Sequence, residues 1–292
     1  MPQARHERAS PVPTGEFSFT WDDFMKIAAL VHGEAGIVLP ESKANLVYSR
    51  LAKRLRAIGL RSFRDYCALV DTAEGAGERQ ALIAAMTTNV TKFFREPHHF
   101  EHLTTQVLPK LVAAAKRGER VRFWSAACSS GEEPYSIALT LLQAMPDAAK
   151  HDVLILASDI DPEMIARGEA GTYPAARLAD IPAKMRGNAI ETNRSGTELR
   201  FGFTESVRKL VRFRQLNLLR EWPMRGAFNV IFCRNVMIYF DQQTQDGIWA
   251  RFARQMSPDS VLYIGHSERI ATDTLPFELA GQTAYRLKGS RK

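Results

Sequence analysis

Apolar positions fall into two different rhythms along the chain, and the change between them divides it. From Thr20 to about residue 88 the spacing is helical. Thr20, with Asp23 three residues on, predicts a capped helix start, and Trp21, Phe24, Ile27, Ala28 and Val31 recur along one face until Gly33 and Gly36 end it. A second helix is predicted over about 41–58, with Val47, Leu51, Leu55 and Ile58 as its apolar stripe and Gly59 as its C-cap. Ser62 opens a third helix carrying Phe63, Tyr66, Leu69 and Val70, and a fourth spans about 78–86. Residues 20–88 therefore read as an all-helical domain. The Pro-, Ser- and Gly-rich stretch 1–19 reads as a flexible tail without the apolar run of a secretory signal.

After a linker and connecting helix over 89–118, short continuous apolar runs alternate with helices: Val121–Ser125, Val153–Ser158, Phe228–Cys233 and Val261–Gly265. Runs apolar on consecutive positions suit strands buried on both faces, so 119–292 is predicted to be an α/β domain around a parallel sheet. Residues about 190–213 break the pattern with polar, alternating sequence. They are expected to form a small antiparallel β-subdomain inserted into that domain.

A doubly wound sheet binds its ligand beyond the carboxyl ends of the strands, where strand order reverses. The first such turn is Ser125-Ala-Ala-Cys-Ser-Ser-Gly131, small throughout, followed by Glu132 and Glu133. Small residues let a ligand approach the backbone, but two carboxylates repel a diphosphate. They suit a cation such as the sulfonium of S-adenosylmethionine, although helix-dipole chemistry alone also accounts for acids at a helix start. The second turn is Ser158-Asp-Ile-Asp161. Asp161 before Pro162 fits a helix N-cap, which leaves Asp159 for ribose hydroxyls. The third turn sends Arg234 and Asn235 out of a strand, with Tyr239 just beyond.

Composition adds four limits. The net charge is +7, and seven basic residues with no acid lie between Ser42 and Arg64. That favours an acidic partner. Cys67, Cys128 and Cys233 make no metal spacing and read as reduced thiols of a cytoplasmic protein. Adjacent His98 and His99 have no neighbouring ligand set in the sequence, so no metal is expected and a surface or helix-start role is favoured. His266 reads as structural or as a support behind the site's lining. No stretch approaches a membrane span, so no membrane insertion is expected.

The strings TNVTKFFREPHHF, FWSAACSSGEEPYSIA, ASDID, FNVIFCRNVMIYFD and GHSE, in this order, resemble the CheR-type chemotaxis receptor methyltransferases. The likeness runs from about residue 20 to 287 and implies a Rossmann-like S-adenosylmethionine-dependent methyltransferase domain behind an all-α domain. It implies transfer of a methyl group from S-adenosylmethionine to glutamate carboxylates on the cytoplasmic helical bundle of chemoreceptors, with S-adenosylhomocysteine as product. Carried over position by position, Asn89, Thr91, Arg95, Glu133, Asp159, Asn217, Leu218, Arg234 and Asn235 would contact the cofactor. Arg95 and Tyr239 would stand nearest the methyl transfer. The choice between Glu132 and Glu133 stays open. Arg50, Lys53, Arg54 and Arg56 on the basic helix would meet the receptor, and in some members of the family the β-subdomain takes a receptor C-terminal peptide as an added strand.

Two other readings use the same residues. The basic patch permits a nucleic-acid methyltransferase, but the turn Arg234-Asn235-Val236-Met237 lacks the Asn/Asp-Pro-Pro-aromatic sequence that holds a flipped base, so no nucleic-acid partner is expected. A non-catalytic receptor-docking module would need a degenerate site, and every transferred position is filled.

Overall fold

The computed structural model describes residues 12–195 and 198–289. The chain divides into two compact units, Met1–Thr88 and Asn89–Lys292.

The first unit is helical: α1 (Trp21–Ala35), α2 (Ala44–Ile58), α3 (Phe63–Val70) and α4 (Ala76–Met86). Thr20 and Asp23 cap α1 reciprocally, side chain to backbone in both directions, and Ser62 caps α3 through Asp65 N. Phe24, Val31, Val47, Leu51, Leu55, Phe63 and Leu82 pack inside. A 3-10 turn over Glu41–Lys43 precedes α2, so the α-helix proper begins three residues later than the periodicity predicts. The expected tail needs correction. Residues 1–11 lie outside the described residues, but Phe17 and Phe19 are buried, Phe19 lies 4.4 Å from the Phe63 ring, and Ser18 bridges to Ser62. Two phenylalanines in a Pro- and Ser-rich stretch are enough to hold it against the helices.

The second unit is built on a sheet of seven strands among the described residues, in the order β6 (Val211–Gln215), β2 (Val153–Asp159), β1 (Val121–Ala126), β7 (Phe228–Cys233), β8 (Met256–Ile264), β10 (Ala284–Leu287), β9 (Phe277–Gly281). The pairs from β6 through β8 are parallel and β10 runs antiparallel to both neighbours. Consecutive residues feed opposite layers: Phe123 packs with Phe232 and Tyr263, while Trp124 packs with Trp222 and Phe252 on the other face. Strand order reverses at β1, whose partners are β2 and β7. The turns after β1, β2 and β7 therefore open at the switch point where a ligand crevice forms.

Three expectations change here. The connecting helix is not continuous: α5 (Pro97–His102) and α6 (Leu108–Lys116) are joined by a π-helical turn, Leu103–Val107. The small antiparallel sheet consists of β3 (Thr172–Pro174), β5 (Glu198–Phe203) and β4 (Ile190–Ser195), with β5 central. It therefore begins earlier than residue 190. Its expected C-terminal part, Val211–Phe213, instead joins the main sheet as parallel edge strand β6, because Val211 and Phe213 bury one face while Arg212 and Arg214 stay exposed. Both β9 and β10 went unexpected, being four or five residues long.

Candidate active site

The turn between β1 and α7 (Glu132–Ala144) places Ala127, Ser129 and Gly131 all at positive φ. Gly131 is fixed by space as well as by its φ of 97°. A Cβ there would sit 2.9 Å from both Gly168 Cα and the Tyr173 hydroxyl. Glu132 folds back to accept from the Ser130 hydroxyl at 2.6 Å. Glu133 turns toward the strand ends, accepting from the Ser125 hydroxyl at 2.6 Å, with Arg234 Nη1 3.4 Å from its other oxygen. Of the two acids, Glu133 is the one that stands beside Arg234 at the strand ends. Burial pushes its carboxyl above the usual range, against the pull of Arg234 and Ser125.

Asp159, the last residue of β2, is buried. Oδ2 accepts Ser129 N at 2.8 Å and Oδ1 accepts Asp161 N at 3.0 Å. Its carboxylate therefore ties the turns after β1 and β2 together and retains lone-pair capacity for a diol. Burial raises it to about 6, with the backbone donors opposing. Asp161 caps α8 (Pro162–Ala170) through Glu163 N at 2.9 Å, as the sequence indicates, and its second oxygen takes Asn89 Nδ2 at 2.9 Å. The Asn89 carbonyl accepts from the Ser129 hydroxyl at 3.0 Å. Asn89 thus belongs at the crevice as a side chain holding loops together.

Beyond β7, Arg234 is almost fully buried over the rings of Phe100 and Phe232. Nη2 donates to the Arg95 carbonyl at 2.5 Å, and Nε lies 3.7 Å from Glu96 Oε2. Asn235 adopts a φ of 59°. Its amide is 3.4 Å from Glu96 Oε1, and Gly265 packs so closely that a Cβ there would lie 2.6 Å from it. Arg95 donates to the Val90 carbonyl at 2.8 Å, and Thr91, like Arg95 itself, is half-buried. Tyr239 sits half-buried at the end of a 3-10 turn, Met237–Tyr239. Asn217 Oδ1 accepts Leu219 N at 2.9 Å, and Leu218 packs beside Trp222 in the core. Their stretch leaves β6 with Leu216 N bonded to the Asp159 carbonyl at 2.8 Å, which keeps it beside the β2 turn.

Two acids escaped the sequence reading. Glu268 is buried, with Oε1 accepting Val236 N and Met237 N at 2.8 Å and Oε2 accepting Gly265 N at 2.5 Å. Burial pushes its carboxyl up, against those three donors. Glu96 accepts from His266 Nδ1 at 2.9 Å. Burial would raise it, but His266 and Arg234 prevail and hold it below the usual carboxylate range. An acid standing directly after a Gly-His-Ser turn is the signal that would have found Glu268. Nothing in the spacing of Glu96 marks it.

His99 stands in the first turn of α5, so the helix-start alternative holds and the surface one does not. It is fully buried, 2.7 Å from Thr283 Oγ1, and burial with nearby Arg234 lowers it to about 3, so it is neutral. Glu96, His98 and His99 come near enough together to suggest a metal. The Arg234 guanidinium beside the same Glu96 oxygen opposes a cation there. All three cysteines are free and buried.

On α2 the four basic candidates separate. Arg50 donates to the Ala85 and Thr87 carbonyls at 2.9 and 2.8 Å, closing the end of α4. Arg54 forks onto Glu78 at 2.9 and 2.5 Å. Both side chains are tied within the unit by these bonds. Lys53 is exposed, and Arg56, 55% exposed, pairs loosely with Glu16.

Residues 89–286 match the family described as CheR methyltransferase, SAM binding domain, and residues 22–87 match its all-alpha domain. The chain belongs to the CheR methyltransferase family. It is 48% identical to a probable chemotaxis protein methyltransferase of Rhizobium etli, covering 88% of this chain and 96% of that one. It is 41% identical to chemotaxis protein methyltransferase 2 of Pseudomonas aeruginosa, over 92% and 94% of the two chains. The chemotaxis protein methyltransferase of Escherichia coli is 40% identical over 90% of each. A solved TehB-like SAM-dependent methyltransferase from Corynebacterium glutamicum overlays at a TM-score of 0.33 and 14% identity, covering 65% of this chain and 97% of that one, and adds nothing to the assignment. The crevice of this CheR member suits S-adenosylmethionine by its own chemistry: a turn of small residues, a carboxylate for a diol and a second carboxylate for a cation.

Proposed function

We propose that this CheR methyltransferase esterifies glutamate side chains of chemoreceptors, using S-adenosylmethionine. The observation that carries the reading is the convergence of Glu133, Asp159 and Arg234 at the switch point of a chain whose two units both match the family. The cofactor, when bound, supplies a methyl group already activated on a sulfonium.

The chain's own residues then have a limited task. A glutamate carboxylate, with an ordinary pKa of ~4.3, is ionised near neutrality and needs no general base. Asp159 holds hydroxyls, Glu133 faces positive charge, and the turn at Ala127–Gly131 keeps side chains out of the way. Asn217 and Leu218 flank the adenine, Arg234 and Asn235 close the crevice, and Asn89 and Thr91 line it from the linker. Arg95 fixes one oxygen of the incoming carboxylate and Tyr239 orients it, so that the other oxygen attacks in line at ~3 Å. Neither residue moves a proton in this scheme.

The acidic methylation region of a receptor would be met by Lys53 and Arg56. Strand β4, at the edge of the small sheet, is the place for a receptor C-terminal peptide to add as a strand. Such a target places the protein in the cytoplasm. Among the described residues no helix is long and apolar enough to cross a membrane.

Incubation with methyl-tritiated cofactor and a chemoreceptor signalling domain tests this directly. The expected product releases labelled methanol on mild base treatment. Label stable to base would mean nitrogen methylation and would overturn the glutamate assignment.

A further inference from the structure

Glu96 makes more contacts across the crevice than its place in a linker accounts for. It occupies the left-handed region at φ 57°, two residues after Phe94 at φ 51°, and non-glycine residues are held there only when their surroundings insist. Oε1 receives His266 Nδ1 at 2.9 Å, with the His266 amide at 3.3 Å and the Asn235 amide group at 3.4 Å. Oε2 is buried and, among the described residues, accepts no hydrogen bond, and neither Arg234 Nε nor His99 Nδ1, at 3.7 and 3.5 Å from it, has a hydrogen-bond partner there. One carboxylate therefore faces Arg234 from one side while Glu133 faces it from the other, 3.4 Å from Nη1.

We propose that Glu96 is a positioning residue that shares the charge of Arg234, leaving the Glu133 carboxylate available to a cationic methyl donor. The proposal rests on the reading of Glu133 and Arg234 as lining the donor site. The charges acting on Glu133 are those of Arg234, Glu96 and Arg95. Two carboxylates thus stand against two guanidiniums. If Glu96 is neutralised, Arg234 is answered by Glu133 alone and the crevice gains one net positive charge. A sulfonium feels that charge, whereas the neutral thioether left after methyl transfer does not. Glu96 is then the group that sets how well the protein tells donor from product. His99, being neutral, does not take over this role, and His266 meets Glu96 from the solvent side with 64% of its side chain exposed.

Calorimetry on the full chain, titrating S-adenosylmethionine and S-adenosylhomocysteine separately at pH 7.5 (roughly a unit above a free imidazole), gives the ratio of the two dissociation constants. Glu96→Gln is expected to raise the donor-to-product ratio about five- to twentyfold, the size expected of one partly screened charge across the crevice. Glu96→Asp should bring it back toward the wild-type value. A merely structural role would weaken both ligands in parallel and leave the ratio unchanged, which would overturn the proposal. Should the Gln variant not fold, His266→Lys neutralises the same carboxylate from the exposed side without disturbing the interior. It should shift the ratio in the same direction by a smaller factor, and an unchanged ratio there counts equally against the proposal. If the wild-type protein binds neither ligand, the fault lies in the reading of the site and not in Glu96.

Discussion

The basic face of α2 and the crevice beyond β7 both contain arginines that look functional in sequence, and the structure treats them in opposite ways. On α2, Arg50 and Arg54 are drawn inward to helix-end carbonyls and to Glu78, while Lys53 and Arg56 remain at the surface. Around the crevice, Arg234 is buried between two carboxylates, over two aromatic rings, and gives a bond to the backbone of the segment that carries Arg95. Exposed charges with water beside them contribute mainly to encounter and orientation. Buried charges are held by their partners, and removing one partner leaves an expensive orphan. The crevice thus holds acids and arginines that fix one another, while fewer cations of α2 stay free of such internal bonds than composition indicates.

The contrast can be broken most severely at Asp159. Asp159→Ala removes the acceptor of Ser129 N and Asp161 N together with the proposed diol ligand. Methyl transfer to a receptor domain should fall at least about 100-fold, and each buried donor left unpaired costs about 1–3 kcal/mol of stability in urea unfolding. Arg95→Ala should match that loss of transfer with little change in unfolding, since the hydrogen bond of its half-buried side chain among the described residues goes to the nearby Val90 carbonyl. If Arg95→Ala retains near-normal turnover, the residue has no part in aligning the acceptor.

Glu268→Ala comes next. It strips three backbone N–H groups of their acceptor in the turn after β7, so roughly 2–4 kcal/mol of stability should be lost. Glu268→Gln, which keeps an acceptor oxygen, should lose less.

Acidity offers a milder test. Asp159 stands at about 6 when folded, above the ordinary aspartate value. A raised carboxyl favours folding while protonated, so its stabilising share is complete below ~pH 4 and disappears as the pH rises to about 6. With Asp159 proposed to take the donor's hydroxyls as a carboxylate, affinity for S-adenosylmethionine should climb between about pH 5 and pH 7, with Asp159→Asn flat over that range. The smallest effect belongs to the exposed face. Lys53→Ala should leave unfolding within about 0.5 kcal/mol of wild type and raise the KM for receptor a few-fold, whereas Arg54→Met should cost roughly 1 kcal/mol and leave that KM alone.

The helical unit was legible because Thr20, Ser62 and Gly59 mark ends and Val47, Leu51 and Leu55 mark a face, all local signals. The four long parallel strands were equally plain, because a strand buried on both sides has no polar position to confuse it. Edges were not. Val211–Gln215 alternates like a strand of an exposed antiparallel sheet because only one of its faces is covered, and its membership in the main sheet depends on pairing with Ile155–Asp159, about 55 residues away. In the crevice, Asp159, Glu133 and Arg234 could be named from their places after strands, but Glu96 and Glu268 could not. Their importance comes from amides and guanidiniums brought to them by other turns, and such convergence leaves no periodic trace. The bonds of Arg50 are hidden in the sequence for the same reason, since the carbonyls it serves lie 35 and 37 residues further on.

The hydroxyl of Tyr173, on β3 of the small sheet, donates to the Ser130 carbonyl at 2.7 Å, while its ring packs against Phe93, Phe201 and Phe203. That single phenol fastens the inserted sheet to the turn where the donor is to be held. A trimmed enzyme made by excising Thr172–Phe203 would lose the brace of its own donor loop along with the excised hairpin. The insertion is thus braced to the main sheet's first turn, and any load placed on its far edge would be felt at Ser130.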